Sequence, residues 1–187
     1  MVFTLQEAAW VATSVGAMIA GVSMFLAYRT LQRHHANFTA DHDRSKKARA
    51  VDLILQWNEN TLGHRRAIEA AFLGLLDKNK PGGVVQLSRQ EATKIYNSQP
   101  NTLDWELRFH LIELLNFFEA VAVAWESGVA DRELIERSFR GVLRNYYDGL
   151  HNFIAVVNEL RETDPWEPYV TLIRRWEPQL PSLPSSR

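Results

Sequence analysis

Residues Leu107 to Gly128 read LRFHLIELLNFFEAVAVAWESG, a nearly unbroken apolar stretch in the second half of the chain. Apolar side chains recur there at alternating four- and three-residue steps, as on one face of an α-helix: Leu107, Leu111, Leu114, Phe118, Val121 and Trp125. The opposite side is apolar too, with Ile112, Leu115, Phe117 and Val123. The pattern therefore predicts a central helix that begins near Thr102 or Asp104, ends at Gly128 and is surrounded by other helices.

Three further helices are predicted before the central one. Residues at three- and four-residue spacing, all but the last of them apolar, predict the buried side of the first of these helices: Ala48, Val51, Ile54, Leu55 and Asn58. A second helix is predicted from Thr61 to Asp77, ended by the proline and glycines that follow. Ser88 and Glu91 have the spacing of a capping box, which predicts a short third helix of about ten residues.

Two more helices are predicted after it. Asp131 can cap a long helix whose apolar stripe is Ile135, Phe139, Val142, Tyr146, Leu150, Phe153, Val157 and Leu160. Pro165 suits the first turn of a final short helix. The sequence thus predicts an all-α fold, with a bundle of about four to five helices over residues 51–177 and a Pro/Ser-rich tail at 178–187.

The N-terminal region is predicted to cross a membrane. Ala8 to Tyr28 are uncharged, and a helix of this length covers about 30 Å of hydrocarbon. A cleaved signal peptide is the main alternative, but it needs a basic region before the apolar stretch, and Glu7 is the only charged side chain there. A buried helix of a soluble protein is another alternative. We predict a retained transmembrane helix over residues 1–31.

Basic residues after this stretch predict its orientation. They place the C-terminal domain in the cytoplasm and the N-terminus outside, as a single-pass protein of the inner (cytoplasmic) membrane. Residues 32–50 are interpreted as a basic juxtamembrane stalk. The candidate contacts to lipid headgroups are Arg29, Arg33, Lys46 and Lys47. A solvated linker without lipid contact is the alternative.

Small residues line one face of the predicted membrane helix: Thr13, Gly16, Ala17, Ala20 and Gly21. Small residues at four-residue spacing allow two helix backbones to approach closely in lipid. The hypothesis is a partner helix from a second copy or from another membrane protein. The alternative is that glycine and alanine are common in such helices.

Neither the composition nor the motifs of the sequence indicate a catalytic activity or a cofactor. A formal net charge of −1 offers no reason to expect nucleic acid as a partner. The absence of cysteine excludes disulfides and thiolate metal sites. The sequence has no Gly-rich phosphate loop, no nucleophile elbow and no zincin helix, so no cofactor and no catalytic residue is predicted.

The best metal candidates lie on the two longest helices of the bundle. Glu106, His110 and Glu113 share one face of the central helix, and Asp148 and His151 are three residues apart on the next. Di-iron bundles need two Glu-x-x-His pairs and two further glutamates, so this ligand set is incomplete. An exposed polar stripe explains the same residues more simply.

Asn116 and Glu119 interrupt the apolar central helix and are the candidate buried polar residues. An unpaired buried carboxylate costs several kcal/mol, so Glu119 needs a partner such as Arg140 or Arg144, or a raised pKa. A ligand pocket around the two side chains is one hypothesis. A structural ion pair or hydrogen bond is the other.

Two strings, ARAVDLILQWNE (Ala48 to Glu59) and LNFFEAVAVAWESG (Leu115 to Gly128), resemble the domain of unknown function 4760 family. The resemblance covers residues 1–177 and implies a membrane-tethered helical protein, with no reaction to carry over. The leading hypothesis is a membrane-anchored interaction protein, either a homo-oligomer or an accessory subunit of a larger complex. The first alternative is a membrane-tethered sensor with a small ligand pocket, and the second is a helical-bundle metalloenzyme.

Overall fold

A computed structural model describes the backbone of residues 5–73 and 86–178. Its side chains are described except at residues 5–24, 27, 33–37, 39 and 73. The described residues form helices and no strand: α1 (Leu5–Glu59), α2 (Leu62–Leu73), α3 (Arg89–Tyr96), α4 (Leu103–Ser127), α5 (Arg132–Arg161) and α6 (Glu167–Trp176). The all-α prediction is confirmed.

The chain divides into two compact units, residues 1–45 and 46–187. The first unit holds the N-terminal part of α1, where the described large apolar side chains are exposed, among them Phe25 and Leu31. None of the helices that the structure describes combines the length and the apolar character needed to cross a membrane. Most of residues 8–28 lie outside the described side chains, and their membrane-crossing role stays a prediction.

The second unit is built around α4, as predicted. The helix begins after Thr102, whose side chain accepts a hydrogen bond from the Trp105 amide, and ends at Gly128. Gly128 has a φ of 69°, a left-handed conformation that glycine adopts without strain. Helices α2, α3, α5 and α6 all pack against α4, and its Leu111, Leu114, Leu115 and Phe118 are fully buried.

Local capping signals identified the helix starts correctly. Ser88 and Glu91 form the predicted capping box at the start of α3, and Asp131 accepts from the Leu134 amide at the start of α5. Helix α2 begins at Leu62, one residue after the predicted start. Its predicted end at Asp77 lies outside the described residues.

The predicted start of the last helix is wrong. Helix α6 begins at Glu167, so the proline in its first turn is Pro168 and not Pro165. The N-cap residue is Trp166, whose side chain is 1 % exposed and makes no cap hydrogen bond. A proline does mark the first turn of this helix, but it is the second of two prolines three residues apart.

The predicted buried face of α1 is also wrong for most of its residues. Val51 is 45 % exposed and Leu55 is 49 % exposed, whereas Ala50 and Leu53 are buried at 0 % and 2 %. The buried face continues to Trp57, whose ring lies 5.7–6.3 Å from four aromatic rings of α4 and α5: Phe117, Phe118, Phe139 and Tyr146. Packing of this large ring sets the rotation of α1 about its axis.

Candidate functional site

The stretch LNFFE (Leu115 to Glu119) contains two polar residues, Asn116 and Glu119, which hold the start of α6 against α4. The indole Nε1–H of Trp166 donates to Asn116 Oδ1 at 3.1 Å. The backbone N–H of Tyr169 donates to Glu119 Oε2 at 3.1 Å. We call these four residues the α6 anchor. Because Asn116 and Glu119 are three residues apart on α4, they face the same neighbour.

Glu119 replaces the missing N-cap of α6. The first amides of a helix have no partner within the helix, and a cap side chain normally accepts from the second or third of them. Tyr169 is the third residue of α6, and the N-cap Trp166 has no side-chain oxygen to offer. The carboxylate from α4 therefore does the work of a local cap across a tertiary contact, with a negative charge where the helix dipole favours it.

The structure corrects two expectations about these residues. Asn116 is exposed as a whole and not buried, whereas Glu119 is partly buried, as expected. The partner of Glu119 is a backbone amide, and not Arg140 or Arg144. Arg140 instead binds Glu136 and Glu177, while Arg144 pairs with Asp148 and Glu177.

The pKa of Glu119 is raised above its usual range. Burial is the largest cause, the hydrogen bond from the Tyr169 amide acts in the opposite direction, and the charge of Asp164 adds to the increase. An acid with a raised folded-state pKa binds its proton more tightly when folded. Its contribution to stability is therefore present at low pH and is lost as the pH rises through the raised pKa.

Replacing Glu119 by alanine is expected to lower the free energy of unfolding by about 0.5–2 kcal/mol, as loss of a helix cap does. Glu119→Gln keeps an acceptor oxygen and removes the buried charge. Its stability relative to the wild type should therefore increase as the pH rises above about 4. Denaturant titrations at several pH values measure this, with the exposed Glu113→Gln on the same helix as the control. A Gln variant as damaging as Ala at every pH would contradict the assignment.

Behind the α6 anchor lies an aromatic core. Phe118 and Tyr169 have ring centroids 5.3 Å apart, and the Tyr169 hydroxyl donates to the Leu143 carbonyl at 2.7 Å. Complete burial raises the pKa of Tyr169 well above its usual range, so the hydroxyl stays protonated as a donor. This core joins α4, α5 and α6.

The predicted metal candidates do not converge. His110 on α4 faces His64 on α2, with their Nδ1 atoms 2.9 Å apart. His151 Nδ1 lies 3.0 Å from the backbone carbonyl oxygen of its own-helix neighbour Asp148, and Glu106 and Glu113 are exposed. Within the described ranges, no group of three or more potential ligands is placed to hold a metal ion.

The histidine pair, His64 and His110, was missed because the two residues are 46 positions apart. Phe109 completes the cluster, with its ring centroid 5.9 Å from that of His64. Burial is the main cause that lowers the pKa of His110, the charge of His64 adds to it, and Glu106 opposes it.

An open groove on the surface of α5 presents three arginines and three glutamates: Arg137, Arg140, Arg144, Glu133, Glu136 and Glu177. Arg140 Nε lies 3.1 Å from Glu177 Oε1, and Arg140 Nη2 donates to the Trp176 carbonyl at 2.8 Å. These contacts fix the end of α6 on α5. Equal numbers of opposite charges leave the groove without a preference for anions or cations.

The predicted lipid-contact residues are only partly described. Arg29 is exposed, and its guanidinium lies 5.6 Å from the centre of the Phe25 ring. Lys47 is exposed and Lys46 is partly buried, while the Arg33 side chain lies outside the described residues. The backbone carbonyl of Lys46 accepts from the Asp131 amide at 3.1 Å.

The predicted packing face of the membrane helix cannot be placed in the same way. Its members lie among the side chains that are not described: Thr13, Gly16, Ala17, Ala20 and Gly21. The hypothesis of a partner helix therefore rests on the sequence.

Comparisons with known proteins complete the description of the chain. No curated protein and no solved structure matches it. The family description "Domain of unknown function (DUF4760)" matches residues 17–176, which include α2 to α6 and both polar residues of the LNFFE string. The chain therefore belongs to the DUF4760 family.

Proposed function

We propose that this protein is a single-pass, membrane-anchored interaction protein, in which residues 8–28 cross the inner membrane and the second unit binds a partner in the cytoplasm. The observation that carries the proposal is the uncharged stretch Ala8 to Tyr28 followed directly by Arg29 and Arg33. An apolar run of this length with basic residues on one flank is typical of a transmembrane helix with that flank inside.

The second unit supports a binding role over a catalytic one. Its most distinctive polar residues, Asn116 and Glu119, are occupied in holding α6. Its surface keeps large apolar side chains exposed, including Val51 and Leu55 on α1 and Phe109 on α4. Exposed apolar residues are candidates for contact with another protein.

Membrane insertion and orientation can be tested directly. The full-length protein is expected to stay in the pellet after an alkaline carbonate wash, because a spanning helix is held by its apolar surface and not by charge. A reporter fused after Arg187 is expected to be active in the cytoplasm. Release of intact protein by carbonate, or reporter activity outside the cell, would remove the basis of the proposal.

Association through the membrane helix gives a second test. Gly16→Leu and Gly21→Leu are expected to lower the stability of an oligomer or of a complex with another subunit, because bulk on the small-residue face separates the two helix backbones. The measurement is the size, and the co-purifying partners, of the protein in mild detergent. Val15→Leu, on the opposite side of the helix, is the matched control. Equal behaviour of all three variants would count against this packing face.

A further inference from the structure

The histidine pair joins α2 to α4 by a contact that depends on protonation. Two Nδ1 atoms at 2.9 Å can form a hydrogen bond when one carries a proton and the other offers a lone pair. When both imidazoles are protonated, each nitrogen is a donor and no acceptor remains. The same distance then brings two positive charges together, and the attraction becomes repulsion.

The pair lies at the N-terminal end of α2. His64 is the third residue of α2, and the first turn of that helix has no acidic residue. The helix dipole places partial positive charge at this end, so it does not offset the repulsion between two protonated rings. Both rings are partly buried, and burial lowers the pKa of His110.

Charged side chains of α2 and α4 flank the pair. Glu106, one turn before His110 on α4, opposes the lowering of the His110 pKa. Arg65, next to His64, contacts Trp57. Its guanidinium lies 4.2 Å from the centre of the Trp57 ring, and its Nη2 donates to the Trp57 carbonyl. Arg108 on α4 donates to the Tyr96 carbonyl of α3.

We propose that the His64–His110 contact is a proton-sensitive switch: in its neutral form it holds α2 against α4, and protonation of both rings loosens α2. Helix α2 buries Ile68 in the core, so loosening it would uncover apolar surface on the second unit.

The direction of the pH effect follows from His110. A base whose folded-state pKa is lowered binds fewer protons when folded than when unfolded. The contact therefore contributes its full stability above about pH 6.5, and this contribution is lost as the pH falls through that value towards the lowered pKa.

Hydrogen exchange of the full-length chain in mild detergent with EDTA tests the switch. Exchange rates at pH 7.5 and 5.5 are corrected for the intrinsic effect of pH and compared between amides 66–72 of α2 and the buried amides of α5. Relative to α5, the protection of α2 is expected to fall severalfold, and by at most about tenfold for one histidine, because pH 5.5 lies about one unit below the ordinary histidine pKa of about 6.5. Equal changes in α2 and α5 would overturn the proposal.

Two variants separate titration of the pair from general loss of stability. His110→Phe keeps an aromatic ring and removes the titrating group, so the extra pH dependence of α2 should disappear. His64→Gln removes the second positive charge and serves if the first variant folds poorly. It should weaken the extra pH dependence without abolishing it, because the burial of His110 remains. His151→Gln, a partly buried histidine on α5, should keep the wild-type response. A loss of α2 protection as large as that of the wild type in both pair variants would also overturn the proposal.

Discussion

Replacing Leu53 by alanine is expected to lower the free energy of unfolding by about 2–5 kcal/mol. Leu53 is 2 % exposed and lies on the face of α1 that continues to Trp57. Truncation removes buried apolar surface and leaves a cavity that the surrounding helices fill only in part. Denaturant titration of the full-length chain in mild detergent, followed by near-UV circular dichroism, measures the loss.

Leu55→Ala is the matched control, since it makes the same chemical change two residues later. Leu55 is 49 % exposed, so its loss should change the free energy of unfolding by less than about 0.5 kcal/mol. The pair of variants therefore distinguishes the buried face in the structure from the face that the sequence pattern predicts. A larger effect at Leu55 than at Leu53 would restore the face that the sequence predicts.

Replacing Trp166 by alanine is expected to lower the free energy of unfolding by about 3–5 kcal/mol, the range for truncation of a fully buried aromatic residue. The indole is 1 % exposed, and its Nε1–H is paired with Asn116. Losing it removes the buried side chain that marks where α6 begins. Loss of α6 packing should be visible as a lower melting temperature and as faster proteolysis near residue 165.

Two milder variants divide this effect into its parts. Trp166→Phe keeps most of the buried ring and loses the donor, so it should be less damaging than alanine. Asn116→Ala removes only the acceptor of this hydrogen bond and should lower the free energy of unfolding by about 0.5–1.5 kcal/mol. If Trp166→Ala melted at the wild-type temperature, the α6 anchor would not hold the helix.

Helix ends were predictable because their signals are local. Ser88 and Glu91 satisfy each other within one turn, and Asp131 accepts from an amide three residues later. Gly128 ends α4 through its own backbone conformation. Such contacts depend on a few neighbouring residues, and these are readable without knowing how the helices pack.

The α6 anchor and the histidine pair were not predictable in this way. Glu119 meets an amide 50 residues away, and His64 meets a ring 46 residues away. The sequence marks Glu119 as a polar residue in an apolar helix, which raises the question of its partner. It does not say whether that partner is an arginine or a backbone N–H.

The sequence by itself determined the helical class, the central position of α4 and the capped starts of α3, α4 and α5, since hydrophobic period and caps act over a few residues. Only the tertiary structure decided which side of α1 is buried, because apolar residues from Ala50 to Trp57 offer two faces. The Trp57 ring fits among aromatic rings of α4 and α5, and that fit selects one face. In the same way, the sequence offers two prolines, Pro165 and Pro168, for the first turn of α6, and the contacts of Trp166 and Tyr169 with α4 accompany the start that the structure has.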